Sequence, residues 1–211
     1  MASGGILIIW DSKKLRSEEV VIGSFSISVK FALDGCEPLW ISAIYGPNNP
    51  SLKKDFWVEL FDIFGLFFPL WYVGDDFNVI KRSSEKFEGS SLTSSMKDFH
   101  SFIRECELLD PPLQNSSFTW SNLQESPVYK RLDRFLYSNE WRQLFFPKAF
   151  KKPLLEGPRT IGQLFWSPTR SSGAQHLLGL RICGCNILVS RRTLEIGGEV
   201  FKEMGGKVTS S

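Results

Sequence analysis

Cysteine is scarce in this 211-residue chain: there are four, Cys36, Cys106, Cys183 and Cys185. Two stand alone and two are separated by one residue, which supplies neither a disulfide framework nor zinc-ligand spacing. That usage points to a reducing compartment, nucleus or cytoplasm, and away from secretion. Long apolar runs are missing too. The longest, Ile63 to Val73, is interrupted by Gly65 and Pro69 and falls well short of the roughly 20 residues a membrane span needs. Met1–Trp10 has no basic segment ahead of its apolar stretch, so no signal peptide is read there. Charge of one sign is also lacking: 25 basic against 23 acidic residues leave a net +2, which excludes a strongly cationic tail protein and an acidic solvating one. What is abundant is aromatic surface, with 7 Trp, 18 Phe and 4 Tyr. A large aromatic core in one domain, or at most two small ones, is expected.

Periodicity organises the first 157 residues. Gly5–Trp10 is a short apolar run that fits a buried strand. Phe25, Ile27, Val29 and Phe31 alternate with Ser24, Ser26, Ser28 and Lys30, as in a half-buried strand. Asp34-Gly35 turns this run into a second one, Leu39–Tyr45, for a probable hairpin. Ser51 is a candidate cap for a helix with Leu52, Phe56, Leu60 and Ile63 at helical spacing. Leu70–Val73 reads as a buried strand running into Gly74-Asp75-Asp76-Phe77-Asn78. Ser94 is a candidate cap for a second helix with Met96, Phe99, Ile103 and Cys106 on one face. Phe118–Ser121 and Leu132–Tyr137 read as short strands. Alternating strands and helices that begin with a hairpin fit a mixed α/β sandwich.

The chemistry concentrates at strand ends. Asp76 and Asn78, two residues apart, fall on one face, with Phe77 on the other. A carboxylate there can take a proton from water and an amide can hold that water, as phosphodiester hydrolysis requires together with a cation and an acid for the leaving oxygen. A polar turn after a strand is the plainer reading of the same residues. Tyr45 ends another apolar strand with a phenol able to donate to a phosphate, or is simply a core-edge residue. Thr119 and Trp120 offer a hydroxyl and an aromatic platform. Arg131 and Arg134 flank Asp133, a pattern that also fits a surface ion-pair strip.

Taken in order, these segments resemble the endonuclease/exonuclease/phosphatase superfamily, the DNase I-like fold, and most closely the endonuclease domain of plant LINE-type retrotransposon polyproteins. The likeness rests on the strand ending in Tyr45-Gly46-Pro47, on Gly74-Asp75-Asp76-Phe77-Asn78, on Ser95-Met96-Lys97-Asp98-Phe99, on Phe118-Thr119-Trp120-Ser121-Asn122, on Arg131–Leu136 and on Trp141. It covers about residues 3–157. It implies an α/β (α+β) fold, a four-layer sandwich, incomplete here, that hydrolyses DNA phosphodiesters with Mg²⁺ or Mn²⁺. By resemblance Asp76 orients or deprotonates the attacking water and Asn78 helps hold water and phosphate, both as possible metal ligands. Tyr45 contacts the scissile phosphate and Asp133 orients a catalytic histidine. Thr119, Trp120, Arg131 and Arg134 are the expected substrate-binding residues. Asp75 stands where the family pattern has a second glycine, and a carboxylate beside Asp76 is expected to raise one pKa by repulsion or to attract a cation.

Other departures bear on activity. The family places an Asn and a metal-binding Glu on strands ahead of anything matched here, and a Ser-Asp-His close to residue 158. The only histidines are His100, inside the second helix, and His176, with no Ser-Asp before it. Strands absent from the pattern are expected to leave sheet edges unpaired. Residues 158–211 change character: they hold 3 aromatics and 8 of the 17 glycines and carry a net +4, against −2 for residues 1–157. Only Leu177–Leu180 and Asn186–Val189 are strand candidates there, so little order is expected. Suitable codons for Pro158–Ile161, read one frame over, can spell Ser-Asp-His, which makes out-of-frame translation after about Leu154–Gly157 the expected origin of this tail. The chain is thus read as 1–157, a partial endonuclease domain, and 158–211, an atypical tail, with turnover expected to be lost. The alternative is a non-catalytic nucleic-acid-binding remnant: Lys130–Lys152 carries a local +5 interleaved with Trp141 and Phe145, a strip suited to phosphates and bases or else a solvated face.

Overall fold

The computed structural model describes residues 4–13, 15–33, 37–86, 93–112, 117–122, 124–145, 163–168, 176–182, 185–193 and 206–210. Eight strands and three helices fall before residue 146: β1 (Gly4–Trp10), β2 (Arg16–Ile22), β3 (Ser26–Ala32), β4 (Leu39–Tyr45), α1 (Lys53–Phe67), β5 (Trp71–Asp76), α2 (Ser94–Glu105), β6 (Trp120–Ser121), β7 (Tyr129–Lys130), β8 (Asp133–Tyr137) and α3 (Asn139–Phe145). Four more follow: β9 (Gln163–Pro168), β10 (His176–Ile182), β11 (Cys185–Thr193) and β12 (Gly206–Ser210). They form two five-stranded sheets, one ordered β12-β1-β11-β10-β9 and the other β2-β3-β4-β5-β8, with β6-β7 as a separate two-stranded hairpin.

The alternation seen in the sequence decides which face each residue takes. Ile27, Val29, Phe31, Leu39, Ile41, Ala43, Tyr72 and Phe135 point from the second sheet onto Ile6, Ile8 and Trp10 of the first, with Trp141 in the same cluster. The opposite face of the second sheet supplies Trp40, Ile44, Trp71, Val73 and Leu136 to α1 and α2, which answer with Phe56, Trp57, Leu60, Ile63, Met96, Phe99, Phe102 and Ile103. Three of the expected layers, sheet on sheet on helices, are therefore formed by the described residues. Burying each such side chain contributes about 1.5–3 kcal/mol, so the aromatic-rich composition is accounted for by two cores on one shared sheet. Some polar atoms inside are paired: Trp71 Nε1 donates to Ser42 Oγ at 2.8 Å, and Ser42 Oγ lies 2.7 Å from Ser28 Oγ, while Trp57 Nε1 and the Tyr72 hydroxyl are buried without a hydrogen-bond partner among the described residues.

Several boundaries differ from the sequence reading. Neither Ser51 nor Ser94 caps its helix. Asn49 accepts from the Ser51 amide ahead of a 3-10 turn over Pro50–Leu52, and Thr93 accepts from the Met96 amide. Leu52 lies in that turn, out of phase with the α1 stripe, and is exposed. β2 escapes the pattern because it is an edge strand, largely exposed along its length, and such a strand needs no apolar alternation. Of Phe118–Ser121 only Trp120–Ser121 pairs. The region after residue 157 holds more regular backbone than its weak periodicity foretells. Leu177–Leu180 and Asn186–Val189 do fall in β10 and β11, while β9 and β12 carry no comparable signal. β1 is not left with a bare edge, because β11 and β12 pair on either side of it, both antiparallel. Residues 146–162, which hold Lys148, Lys151, Lys152 and the 157/158 boundary, lie outside the described residues.

Candidate functional site

Three strands of the second sheet finish in register. Tyr45 at the end of β4 is the partner of Asp76 at the end of parallel β5, and Asp76 is the partner of Asp133 at the start of antiparallel β8. All three have the parity of residues in the inter-sheet core: Tyr45 packs against that cluster, Asp76 is two pleats beyond Gly74 and four beyond Tyr72, and Asp133 is two before Phe135. With strands roughly 4.8 Å apart, a phenol and two carboxylates line one sheet end within about 10 Å. Asp76 and Asp133 are 8% and 5% exposed. Two carboxylates at that depth on neighbouring strands make a site that favours cations.

Local backbone chemistry holds the row. Asn78 sits at φ 51°, a left-handed conformation that asparagine tolerates. Its amide N–H donates to Asp76 Oδ1 at 2.8 Å, a turn closed by the carboxylate. Its side-chain Nδ2 donates to the Gly46 carbonyl at 2.6 Å, and the Gly46 amide donates to the Asp76 carbonyl at 2.6 Å. The exits of β4 and β5 are thus braced to one another. Only glycine allows this approach, because a Cβ on Gly46 would lie 2.2 Å from the Phe77 carbonyl oxygen. The entry of β8 is braced as firmly: Thr119 Oγ accepts from the Leu132 and Asp133 amides, each at 3.0 Å, and the Phe77 amide donates to the Leu132 carbonyl. Thr119 is buried, so its hydroxyl shapes the path into Asp133 from inside the protein.

The two arginines expected at the substrate, Arg131 and Arg134, lie in a buried ion-pair cluster. Arg134 has the opposite parity to Asp133, and its guanidinium lies 5.3 Å over the Phe99 ring of α2. With none of its side chain exposed, it donates to Asp110 Oδ2 at 2.8 Å and pairs with Glu85. Arg131 donates to Asp110 Oδ1 at 2.9 Å and to the Pro111 carbonyl at 2.8 Å, and Lys81 reaches Asp110 Oδ2 at 3.0 Å. Burial pulls the Arg134 guanidinium below its ordinary pKa, opposed by Asp110 and Glu85. The ion-pair strip is real, but it is interior. Trp120, half-buried on β6, carries the Lys130 ammonium 5.2 Å over its ring, and Phe118 and Tyr129 stack beside each other at 5.8 Å.

Asp75 is also not where its neighbour in sequence stands. It shares the parity of Val73 and Phe77 on the helix side, in register with Arg134, so it is not a second carboxylate beside Asp76 on the inter-sheet face. Its φ of 108° is a backbone state that suits glycine, which matches the glycine that the family pattern puts there.

One residue that the sequence reading passed over belongs to the site. Lys53 Nζ donates to the carbonyls of Phe77 and Asn78 at 3.3 and 3.2 Å. Burial lowers its pKa from the ordinary lysine value, and the charge of Asp76 opposes that shift. A signal existed: Lys53 is the first residue of α1, where the helix dipole disfavours a cation.

An Mg²⁺ or Mn²⁺ ion requires several oxygen ligands at once. Among the described residues no group of three or more His, Cys, Asp or Glu side chains is placed to hold a metal, while Asn78 commits its amide to Gly46 and caps Asp76 Oδ1. The described residues do not make up the ligand set such an ion needs. His100, which the sequence places inside the second helix, is exposed on α2 in the helix layer, and the backbone of His176 opens β10 opposite Pro168.

Two stacked sheets with helices on the outer face of one make an α+β sandwich of the DNase I-like fold. One solved structure with this fold is the endonuclease domain of TRAS1, a telomere-specific non-LTR retrotransposon, matched with a TM-score of 0.51 at 11% identity over 86% of this chain and 70% of that one. At that identity the likeness establishes the fold. No family model and no curated protein matches the chain.

Proposed function

We propose that this chain derives from a retrotransposon endonuclease, of the plant LINE type by its motifs, whose Mg²⁺-dependent hydrolysis of DNA phosphodiesters it no longer performs. The observation that carries the origin is the Tyr45–Asp76–Asp133 row, drawn from three separate sequence motifs into one register on a retrotransposon-endonuclease fold. The loss of turnover follows from the chemistry of the row. Asp76 and Tyr45 can hold and polarise a water near a phosphate. Neither the charge-neutralising ligand set nor a general acid for the leaving oxygen stands with them among the described residues. Lacking a general acid alone costs about 10²–10⁴ in rate. Pure protein incubated with supercoiled plasmid in Mg²⁺ is expected to leave it supercoiled. Relaxation in Mg²⁺ that EDTA abolishes would show that turnover survives.

In the same proposal residues 158–211 are out-of-frame translation. The nucleotide sequence decides this, because a Ser-Asp-His reading one frame over supports it and in-frame coding of the same tail in an intact related element sinks it.

Binding without cleavage is the second reading, favoured by the hairpin that presents Trp120 under Lys130 with the exposed Tyr129 alongside. Stacking and phosphate contacts of this kind bind single or frayed strands with little sequence preference. DNA binding that weakens steeply with salt is the expected result, and absence of binding at low salt dismisses it.

A further inference from the structure

We infer that Lys53 is the fixed cation of this site, a positioning residue whose ammonium clamps the exit of β5 and stands behind Asp76 in the electrostatic place a divalent ion would otherwise take. The inference rests on reading the row as a former phosphodiesterase site that still meets nucleic acid. Its geometric basis is a closed circuit. The ammonium donates to the carbonyls of Phe77 and Asn78, the two residues that follow Asp76; the Asn78 amide donates to Asp76 Oδ1; and the Asn78 side chain donates to Gly46. Cation, carboxylate and both strand exits therefore move as one unit.

The ammonium is also held from behind. It lies 5.8 Å over the Phe56 ring, and the 3-10 turn that leads into its helix is capped by Asn49. A lysine at the first position of a helix works against the dipole of that helix, so the compensating attraction must come from outside it. Here that attraction is two carbonyl dipoles and the Asp76 carboxylate. A fixed ammonium near the two carboxylates leaves the row less attractive to a second cation and less repulsive to a polyanion than the carboxylates alone would be. Lys53 thus opposes metal and favours DNA at the same place.

Those opposite signs give the test. On the full chain, Mn²⁺ alone is titrated while the broadening of the Asp76 and Asp133 amide resonances is followed, and a short DNA duplex is titrated by anisotropy at several salt concentrations. Wild type is expected to take Mn²⁺ only in the millimolar range. Lys53→Met is expected to bind Mn²⁺ roughly fivefold more tightly, the scale of one removed charge near the surface. The same variant should bind DNA more weakly, with a log–log salt slope shallower by about 0.9. Lys53→Arg should restore wild-type behaviour in both. Lys53→Gln keeps a donor for the carbonyls without the charge, and it decides the matter if Lys53→Met fails to fold. A purely structural lysine would weaken both ligands or neither, and either result overturns the inference, as does micromolar Mn²⁺ binding by wild type. Failure of wild type to bind DNA at low salt would instead defeat the nucleic-acid reading, leaving the Mn²⁺ titration to judge Lys53.

Discussion

The two faces of β8 use neighbouring charged residues in opposite ways. On the helix side Arg134 enters a buried cluster with Glu85, Asp110, Arg131 and Lys81, in which cations and carboxylates alternate. On the inter-sheet side Asp133 stands next to another carboxylate, Asp76, in the adjacent strand. Opposite charges at close range are satisfied largely by each other, with Arg131 Nε and Arg134 Nε the donors left without a hydrogen-bond partner among the described residues. Like charges at close range oppose each other, and backbone donors help hold them: the Asn78 amide donates to Asp76 Oδ1. The lesson is that an acid between two arginines in sequence says little about its partners, since strand alternation sends the three to different environments.

Breaking the compensated face should have the largest effect. Asp110→Ala strands Arg131, Arg134 and Lys81 with a single remaining carboxylate, and loss of one partner from a buried ion pair costs about 3–5 kcal/mol. Chemical denaturation should show that loss directly. Gly46→Ala attacks the support of the other face by driving a methyl into the Phe77 carbonyl; a destabilisation of about 1–3 kcal/mol is expected from such overpacking, with loss of the Asn78–Gly46 hydrogen bond visible in amide exchange. Asp133→Asn sharpens the contrast: removing one of two like charges should change stability by less than about 1 kcal/mol in either direction, in contrast to Asp110→Ala. If Asp133→Asn proves as costly as Asp110→Ala, the two faces are not different in kind.

The smallest effect concerns Asp75. At φ 108° a side chain costs about 1–2 kcal/mol, and glycine gives back about 0.5–1 kcal/mol of that in chain entropy. Asp75→Gly should therefore be more stable than Asp75→Ala by about 0.5–1 kcal/mol in chemical denaturation, since both lose the carboxylate and only alanine keeps the strain.

Much of this was readable before the fold was known. The stripes of Phe56, Leu60 and Ile63 and of Met96, Phe99, Ile103 and Cys106 are buried as their spacing requires. The hairpin of β3 and β4 and the buried strand before Asp76 stand where alternation and a continuous apolar run put them. Helix caps were misread by a residue or two because Asn49, Ser51, Thr93 and Ser94 all carry capping oxygens, and only backbone geometry chooses among them. β2 was silent since both of its faces are largely wet, and β12 because its pairing partner, β1, lies at the far end of the chain.

The site divides along the same line. From its residues alone the chain determined that Asp76 and Asn78 follow a buried strand, that Tyr45 ends another, and that Asp133 and Arg134 face opposite ways, for these are consequences of a two-residue period. Tertiary structure decided that Tyr45, Asp76 and Asp133 share one row, that Arg131 and Arg134 turn inward to Asp110 and Glu85, and that Lys53 reaches the exit of β5. Each of those depends on which strands lie side by side and in what register. A period of two fixes a residue's face, but only the packing of distant segments fixes its neighbour.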